Sequence, residues 1–249
     1  MKSLICLFVL VVSSVLYSQV ERVDSLIGLA KIAYLKYDST ELEKLRAEFS
    51  EVSYSGQDNI ASYYNALLGY KLLEMNMGDK SVFDNYYEAT LKDVERLLEF
   101  DDIRADALVI KAAIYMMKIA TNPISAVTLS PKIHQLLDEA QSIDSANPYS
   151  YVIRGMMKFN TPKMFGGSYE EALKNFSRAV LLFENNGERP AWGYAESLAW
   201  LGRTYVELGD FQSALFTYRR ALNAEPEYGW VKHVLLPEAE KKYKESKNE

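Results

Sequence analysis

Apolar residues recur along this chain at intervals of three and four positions, which is the period of one face of an α-helix. No stretch of useful length alternates between apolar and polar residues as a half-buried β-strand would. Two amphipathic helices are predicted near the start, over residues 20–35 and 40–52. Ser39 or Thr40 is the expected N-cap of the second, and Glu43 completes a capping box with Thr40. The pattern therefore predicts an all-α chain.

The most regular pattern lies between residues 195 and 228. Small, apolar and aromatic residues stand there at fixed spacing: Leu198, Leu201, Gly202, Tyr205, Ala214, Tyr218, Ala221 and Pro226. The spacing resembles that of the tetratricopeptide repeat (TPR), with Leu198 in place of the family's Trp and Tyr218 in place of its Phe. Gly202 and Ala214 are small where the two helices of a unit would pass closely, and Pro226 would end the second helix.

The same chemistry recurs in weaker form towards the N-terminus, as expected of stacked repeats with divergent ends. The next unit back is carried by Tyr151, Gly155, Ala172, Phe176 and Ala179. Its two helices are separated by a Pro- and Gly-containing loop over 160–167, which is about five residues longer than the repeat period implies. A third unit has a long segment between its helices over 121–132, and a fourth is faint. We predict an α-α superhelix, a TPR-like solenoid with long inter-helix insertions and helical caps.

These patterns give a complete division of the chain. We predict a signal peptide over 1–18 and a single helical domain over 19–249. The domain is divided into capping helices (19–61), a degenerate repeat (62–104), a degenerate repeat with an insertion (105–147), a repeat with an insertion (148–194), the clearest repeat (195–228) and a C-terminal capping helix (229–249). We expect this last helix to be interrupted or restarted at Pro237.

The first eighteen residues have the pattern of a secretory signal. Lys2 supplies the positive start, residues 4–16 the apolar run, and 16–18 a cleavage point before Gln19. An apolar run of about a dozen residues is short for spanning a bilayer, which favours cleavage over retention as an anchor. Cys6 lies inside this segment, so cleavage would leave no cysteine for disulfides or thiol chemistry. We expect an exported protein, in the periplasm or outside the cell.

Charge and motif content argue against several kinds of function. The formal net charge of -6 gives no support for binding nucleic acid or anionic lipid. His134 and His233, which are the only histidines, have no second ligand at helical spacing, and Gly166-Gly167 lacks the lysine of a phosphate loop. No nucleophile, base and orienting group can be assembled. We expect no metal, no cofactor and no catalysis.

The TPR resemblance implies that the first helix of each pair lines a concave groove. The residues on that face that we predict to bind a partner are Tyr63, Tyr70, Met116, Met117, Tyr149, Met156, Phe159 and Arg203. This set is apolar and aromatic in its middle, and only Arg203 and Asn160 are of the type that holds a charged peptide end, so a carboxylate clamp is not expected. The groove either receives an apolar helix face or lipid-like chain, or is ordinary core covered by the long inter-helix segments.

Two large apolar side chains, Met164 and Phe165, stand next to glycines in the 160–167 loop. Loops usually lack such residues, so we predict that they either plug the groove or contact a partner, and we favour the plug.

The resemblance implies a non-enzymatic, exported scaffold that holds a protein segment within a cell-envelope assembly, without inserting in the membrane after signal cleavage. The alternative is a carrier of an apolar small molecule or lipid, similar to the periplasmic TPR partners of TRAP-type transporters.

Overall fold

The computed structural model describes residues 21–56, 59–186 and 193–248, and over these ranges the chain is helical and has no β-strand. We number the helices in chain order. They are α1 (residues 21–35), α2 (Ser39–Gly56), α3 (Asn59–Met75), α4 (Lys80–Leu97), α5 (Arg104–Thr121), α6 (Ala126–Ile143), α7 (Pro148–Asn160), α8 (Tyr169–Asn186), α9 (Gly193–Glu207), α10 (Phe211–Ala224) and α11 (Leu236–Ser246).

Consecutive helices pack as hairpins, and the hairpins stack side by side. Helices α3 and α4, α5 and α6, α7 and α8, and α9 and α10 form the pairs, while the first helices of successive pairs contact one another in the order α3, α5, α7 and α9. This arrangement confirms the predicted all-α superhelix. Its first helices form the inner, concave layer, and the second helices form the outer, convex layer.

Glycines mark two of the places where paired helices pass closely. A Cβ added at Gly155 would lie 2.6 Å from the ring of Phe176, and one added at Gly202 would collide with the ring of Tyr218. Both rings are almost completely buried. The repeat pattern therefore placed its small residues and its aromatic residues correctly in both of the C-terminal pairs.

The predicted long segment between residues 121 and 132 is not a loop. Helix α5 ends at Thr121, a 3-10 turn covers Pro123–Ser125, and α6 begins at Ala126. Pro131 lies inside α6, where it leaves the carbonyl of Val127 without its helical donor. Val127 is 81% exposed, so water can satisfy that carbonyl. The extra residues thus form the 3-10 turn and part of α6.

The loop predicted over 160–167 is present, and backbone hydrogen bonds close it. The amide of Gly167 donates to the Pro162 carbonyl (3.2 Å), and that of Ser168 donates to the Lys158 carbonyl (3.0 Å). Gly166 has φ of 92°, a left-handed conformation that glycine adopts without strain. The loop is therefore a compact turn with a defined backbone.

The last helical segment changes its winding just before the proline that was predicted to interrupt it. Residues 229–246 are continuously helical, but Val231–Leu235 form a π-helical turn ahead of Pro237. Within the described part of the chain, no helix is both long enough and apolar enough to span a bilayer.

The two ends of the superhelix meet. Lys31 on α1 forms an ion pair with Glu225 after α10. The carbonyl of Leu35 lies so close to Gly229 that an added Cβ there would stand 3.3 Å from its oxygen. Because α1 contacts the C-terminal segment, the superhelix is a closed ring in cross-section, and the concave face becomes its interior.

Candidate functional site

The predicted concave residues lie on the inner helices, but the middle of the groove is filled. Met116 and Met117 on α5 and Met156 on α7 are at most 8% exposed and belong to the hydrophobic core. Tyr63, Tyr70 and Tyr149 surround a central cavity of about 20 Å³, which has room for about one water molecule. A lipid-like chain or a helix does not fit there.

The inter-helix loops do not fill the middle of the groove. Met164 is 83% exposed and Phe165 is 73% exposed, so the prediction that they plug the groove is wrong. The groove is filled because the superhelix winds tightly enough for α3 to reach α9. Opposite inner helices then supply each other's packing partners, and the loops are left outside.

A buried ion pair crosses this interior. Lys71 on α3 donates hydrogen bonds to both carboxylate oxygens of Glu196 on α9, at 2.7 and 2.9 Å. It also donates to Glu74 (3.1 Å) and to the hydroxyl of Tyr34 (3.3 Å). The rings of Tyr34 and Tyr70 lie 4.7 and 4.8 Å from its Nζ atom. The ammonium thus has oxygen partners and aromatic faces around it.

Electrostatics in this cluster follow from burial and from the excess of carboxylates. Burial by itself would lower the pKa of Lys71, but the charges of Glu196 and Glu74 outweigh it and raise that pKa. Burial raises the pKa of Glu74, and Lys71 pulls it back only in part. Burial, reinforced by the nearby carboxylates, holds the pKa of Tyr34 and of Tyr70 well above the usual range. The phenols therefore stay neutral.

Sequence reasoning missed Lys71. It stands among the apolar residues of 66–73, and a charged residue in such a run signals either a buried pair or a misplaced helix face. Its partner could not be identified from the sequence, because 125 residues separate Lys71 from Glu196 and only the winding of the superhelix brings them together.

Within the described residues, a cleft lies at the C-terminal end of the superhelix, beside the inner helix α9. Its volume is about 250 Å³, and we call it the C-terminal cleft. Its polar lining residues are Arg203, Glu207, Glu238 and Lys242, and its apolar ones include Val206, Trp230, Val234 and Leu235. Helix α9 supplies one wall, and the last helical segment supplies the other.

Arg203 is held in this cleft by aromatic rings. Its guanidinium carbon lies 4.4 Å from the ring centre of Trp200, 4.8 Å from that of Phe159 and 5.4 Å from that of Trp230. Trp200 in turn packs edge-to-face on Phe159 and on Trp230. Two of the predicted site residues, Phe159 and Arg203, are thus brought together. The two tryptophans were missed, although Trp200 precedes Arg203 by one helical turn.

The charge of Arg203 is only partly compensated. Burial lowers its pKa, while Tyr218, Glu207 and Glu238 act in the opposite direction, and an arginine remains a cation at any physiological pH. Over the described ranges, no carboxylate lies within 4.0 Å of the guanidinium, and no hydrogen bond satisfies it. Stacking leaves its in-plane N–H donors available, so the arrangement can accept a carboxylate or carbonyl oxygen from a ligand.

The other predicted polar residue does not join this site, since the side-chain amide of Asn160 donates to the Met156 carbonyl (2.8 Å). Nor do the described residues contain a cluster of three His, Cys, Asp or Glu side chains that could hold a metal ion.

Comparison with known proteins identifies the repeats. Residues 164–225 match the family model of the tetratricopeptide repeat. No curated protein sequence matches the chain. Among solved structures, the HusA haemophore from Porphyromonas gingivalis is similar at 21% identity, with a TM-score of 0.63 over 74% of this chain and 92% of that chain. BtubC (BKLC) from P. vanneervenii aligns at 15% identity and a TM-score of 0.41, covering 86% of this chain and 90% of that one.

Proposed function

We propose that this chain, whose residues 164–225 are tetratricopeptide repeats, is a non-enzymatic scaffold that holds a segment of a partner protein in its C-terminal cleft. Repeats of this family generally build protein-binding surfaces and not catalytic centres. The observation that carries the proposal is Arg203, a partly buried cation that is oriented by three aromatic rings in the open part of the concave face. We place the site there because the middle of the groove is filled.

The unpaired guanidinium argues for an occupant. Removing a charge from water costs free energy unless a partner or hydrogen bonds compensate it. Cation–π contacts with Trp200, Phe159 and Trp230 offset part of this cost, but they leave the in-plane donors without an acceptor. A ligand oxygen in the cleft would complete the site.

The mixed lining argues for a polypeptide. Arg203 and Lys242 offer donors, Glu207 and Glu238 offer acceptors, and Trp230 is part of an apolar wall. A polypeptide presents carbonyl acceptors, amide donors and apolar side chains together, whereas a simple acyl chain presents neither donors nor acceptors. A cleft of about 250 Å³ accommodates one or two side chains of such a segment.

Photo-crosslinking in the producing cell tests the proposal. With p-benzoylphenylalanine at Val206, a discrete crosslinked partner should be recovered and identified by mass spectrometry. Arg203→Ala in the same background should reduce its yield. The matched control carries the crosslinker at Phe216, which is 63% exposed on α10. Equal recovery from Phe216, or no product from Val206, would refute the proposal.

We also propose that the protein is exported and that the periplasm is its compartment, with the extracellular space as the alternative. The support is the charge, apolar run and cleavage point within residues 1–18, a segment that lies outside the described residues. N-terminal sequencing of the cell-derived protein should begin at Gln19. Recovery of chains that begin at Met1 in the cytosolic fraction would contradict export.

A second candidate function is the carriage of an apolar small molecule. It is favoured by the similarity to HusA, which is a haemophore, and by the two tryptophans and Phe159 around Arg203, which could stack on a planar molecule and bind its acid group. Native mass spectrometry of protein purified gently from its envelope would show extra mass. Titration with haemin as a probe should change its absorbance spectrum with wild type but not with Arg203→Ala. If the measured mass equals that of the chain alone, and if the haemin spectrum does not change on addition of the wild type, this candidate function is excluded.

A further inference from the structure

A second cleft lies between α2 and α4, across the C-terminal end of α3. Its volume is about 380 Å³, which is within the range of about 300–1,000 Å³ that is typical of small-molecule sites. We call it the α2–α4 cleft. Its polar lining residues are Ser39, Thr40, Glu43, Asn76, Asn85 and Tyr86. The C-terminal cleft is built from other helices, so the two sites are separate.

Three of these residues were predicted to cap α2, and the structure gives the cap to a different side chain. The amide of Glu41 donates to the carboxylate of Asp38 (3.0 Å), which is the hydrogen bond that an N-cap side chain accepts. The prediction of Ser39 or Thr40 as the N-cap is therefore wrong. Among the described residues, the hydroxyls of Ser39 and Thr40 have no hydrogen-bond partner, so both remain available in the cleft.

Tyr86 is fixed in the cleft by contacts on two sides. Burial and its hydrogen bond to the Glu43 carboxylate raise the pKa of Tyr86 to about 12, so the phenol stays protonated. The guanidinium carbon of Arg46 lies 5.6 Å from the centre of its ring, and the carboxylate of Asp93 accepts a hydrogen bond from Arg46 at 2.8 Å. These contacts join α2 to α4 and pair the Arg46 charge with Asp93. The cleft is thus preorganised.

Two asparagines add amide groups to the lining. The side-chain amide of Asn76 donates to the Leu72 carbonyl (2.8 Å), which leaves its side-chain oxygen as an acceptor. Asn85 is exposed, and within the described structure its side chain makes no hydrogen bond. The remaining lining residues, Leu72 and Val82, supply a small apolar surface.

We propose that the α2–α4 cleft binds a neutral carbohydrate. The hydroxyls of a sugar both donate and accept hydrogen bonds, and they match a lining of hydroxyls, carboxamides and one carboxylate. The C–H groups of the sugar ring would lie against Leu72 and Val82. The proposal does not depend on partner binding at the C-terminal cleft.

The lining disfavours other classes of ligand. Among the described residues that line the cleft, none is Lys, Arg or His, so an anionic ligand would meet only the negative charge of Glu43. An apolar molecule would bury the polar side chains without partners. A peptide needs a pocket for an anchoring side chain, and only Leu72 and Val82 offer apolar surface here.

Saturation-transfer NMR of the full chain tests this proposal. The probes are neutral hexasaccharides of glucose, mannose, xylose and galactose, with α- and β-linked glucose as separate samples. At least one should receive magnetisation from the wild type. Glu43→Ala should weaken its binding about tenfold and Asn85→Ala about fivefold, because a hydrogen bond to a charged group contributes more than one to a neutral group. No signal from any probe would overturn the proposal.

The matched control for Asn85→Ala is Asn223→Ala, which removes an exposed asparagine from α10 and should leave sugar binding unchanged. Arg203→Ala should also leave it unchanged, because Arg203 lines the other cleft. Circular dichroism verifies that each variant is folded. Equal binding by all the variants, or loss of binding in Arg203→Ala alone, would place the sugar elsewhere and overturn the proposal.

Two further probes test the rival ligand classes at the same cleft. A hexasaccharide of galacturonate carries the same kind of hydroxyls with negative charge, and it should bind more weakly than the best neutral probe. A capped tripeptide of alanine and serine should give no signal. Tighter binding of the galacturonate probe, or peptide binding that is lost in Asn85→Ala, would overturn the assignment to a neutral sugar.

Discussion

Lys71 and Glu196 are 125 residues apart in sequence, yet the Lys71 ammonium lies 2.7 Å from a carboxylate oxygen of Glu196 in the interior of the superhelix. Their side chains are only 2% and 4% exposed. The pair joins the first inner helix, α3, to the last one, α9, and Tyr34 from α1 completes it. A repeat protein that is usually drawn as an open scaffold is here closed through its middle, which is why we propose that binding occurs at the C-terminal cleft.

Breaking this pair should destabilise the protein strongly. Glu196→Gln leaves the Lys71 ammonium with Glu74 as its remaining carboxylate partner, and we expect a loss of about 3 kcal/mol or more in the free energy of unfolding. The double variant Lys71→Met/Glu196→Met should recover much of the loss, because it removes both buried charges. Urea unfolding monitored by circular dichroism measures both effects.

A surface pair provides the control for that experiment. Lys174 and Glu171 are 73% and 47% exposed, and Lys174→Met should leave the unfolding midpoint unchanged. If Glu196→Gln behaved like this surface variant, the interior pair would not hold the superhelix closed.

Stability should fall steeply above about pH 10. Burial raises the pKa of Tyr34 and of Tyr70 in the folded chain, so above about pH 10 the unfolded chain releases protons that the folded chain retains. The raised pKa of Lys71 acts in the same direction. A raised folded pKa gives stability that is complete below the unfolded pKa and is lost as the pH increases.

One substitution isolates a single phenol in that dependence. Tyr70→Phe keeps the ring against Lys71 but removes one titrating group, so the slope of unfolding free energy against pH above pH 10 should decrease by about 1.4 kcal/mol per pH unit. Urea titrations at successive alkaline pH values give the slope. Identical slopes for the two proteins would show that Tyr70 ionises without hindrance in the folded state.

Small residues at the helix crossings should be intolerant of added atoms. Gly202→Ala places a methyl group against the buried ring of Tyr218, and we expect it to destabilise the chain by about 1 to 3 kcal/mol. Gly202→Leu should cost at least as much. Thermal unfolding provides the measurement.

Gly28 is the matched control, because it lies in α1 and a Cβ there would meet no atom within 4 Å. Gly28→Ala should raise stability by up to about 1 kcal/mol through helix propensity. Unchanged stability in Gly202→Leu would mean that the repeat register is wrong.

Arg203 should matter for binding more than for folding. In Arg203→Ala the lost ring contacts are offset by release of a poorly hydrated cation, so we expect a change in unfolding free energy within about 1 kcal/mol. Chemical denaturation of the purified variant measures it. A loss of several kcal/mol would make Arg203 a structural residue and would remove the basis for the proposed cleft site.

Local features of the sequence predicted much of this fold. The spacing of Gly202 and Tyr218, and of Gly155 and Phe176, gave the helix pairs of the clearest repeats, because each contact joins residues about one hairpin apart. The loop over 160–167 followed from its Pro and Gly content. The prediction that residues 121–132 separate two helices was wrong for Pro131. This proline lies inside α6, where the Val127 carbonyl that it leaves without a donor faces water.

Some residues of the candidate site could be predicted from the sequence, but its shape could not, because the shape depends on how tightly the superhelix winds. Small rotations between successive pairs accumulate over the chain, and no single contact in the sequence encodes their sum. Arg203 was found because it falls on the inner face of a recognisable repeat. Lys71, Trp230 and the filled interior depend on contacts between the two ends of the chain, which the repeat spacing does not reveal.

We propose that partners bind at the C-terminal cleft of a superhelix that stays closed. Lys31→Cys/Glu225→Cys, in a Cys6→Ser background, allows a short bis-maleimide to lock α1 onto the C-terminal segment at the site of their ion pair. With the photo-crosslinker at Val206, the locked chain should capture its partner as well as the unlocked chain does. Loss of capture on locking, with folding intact, would show that binding requires the superhelix to open and would contradict binding by the closed superhelix.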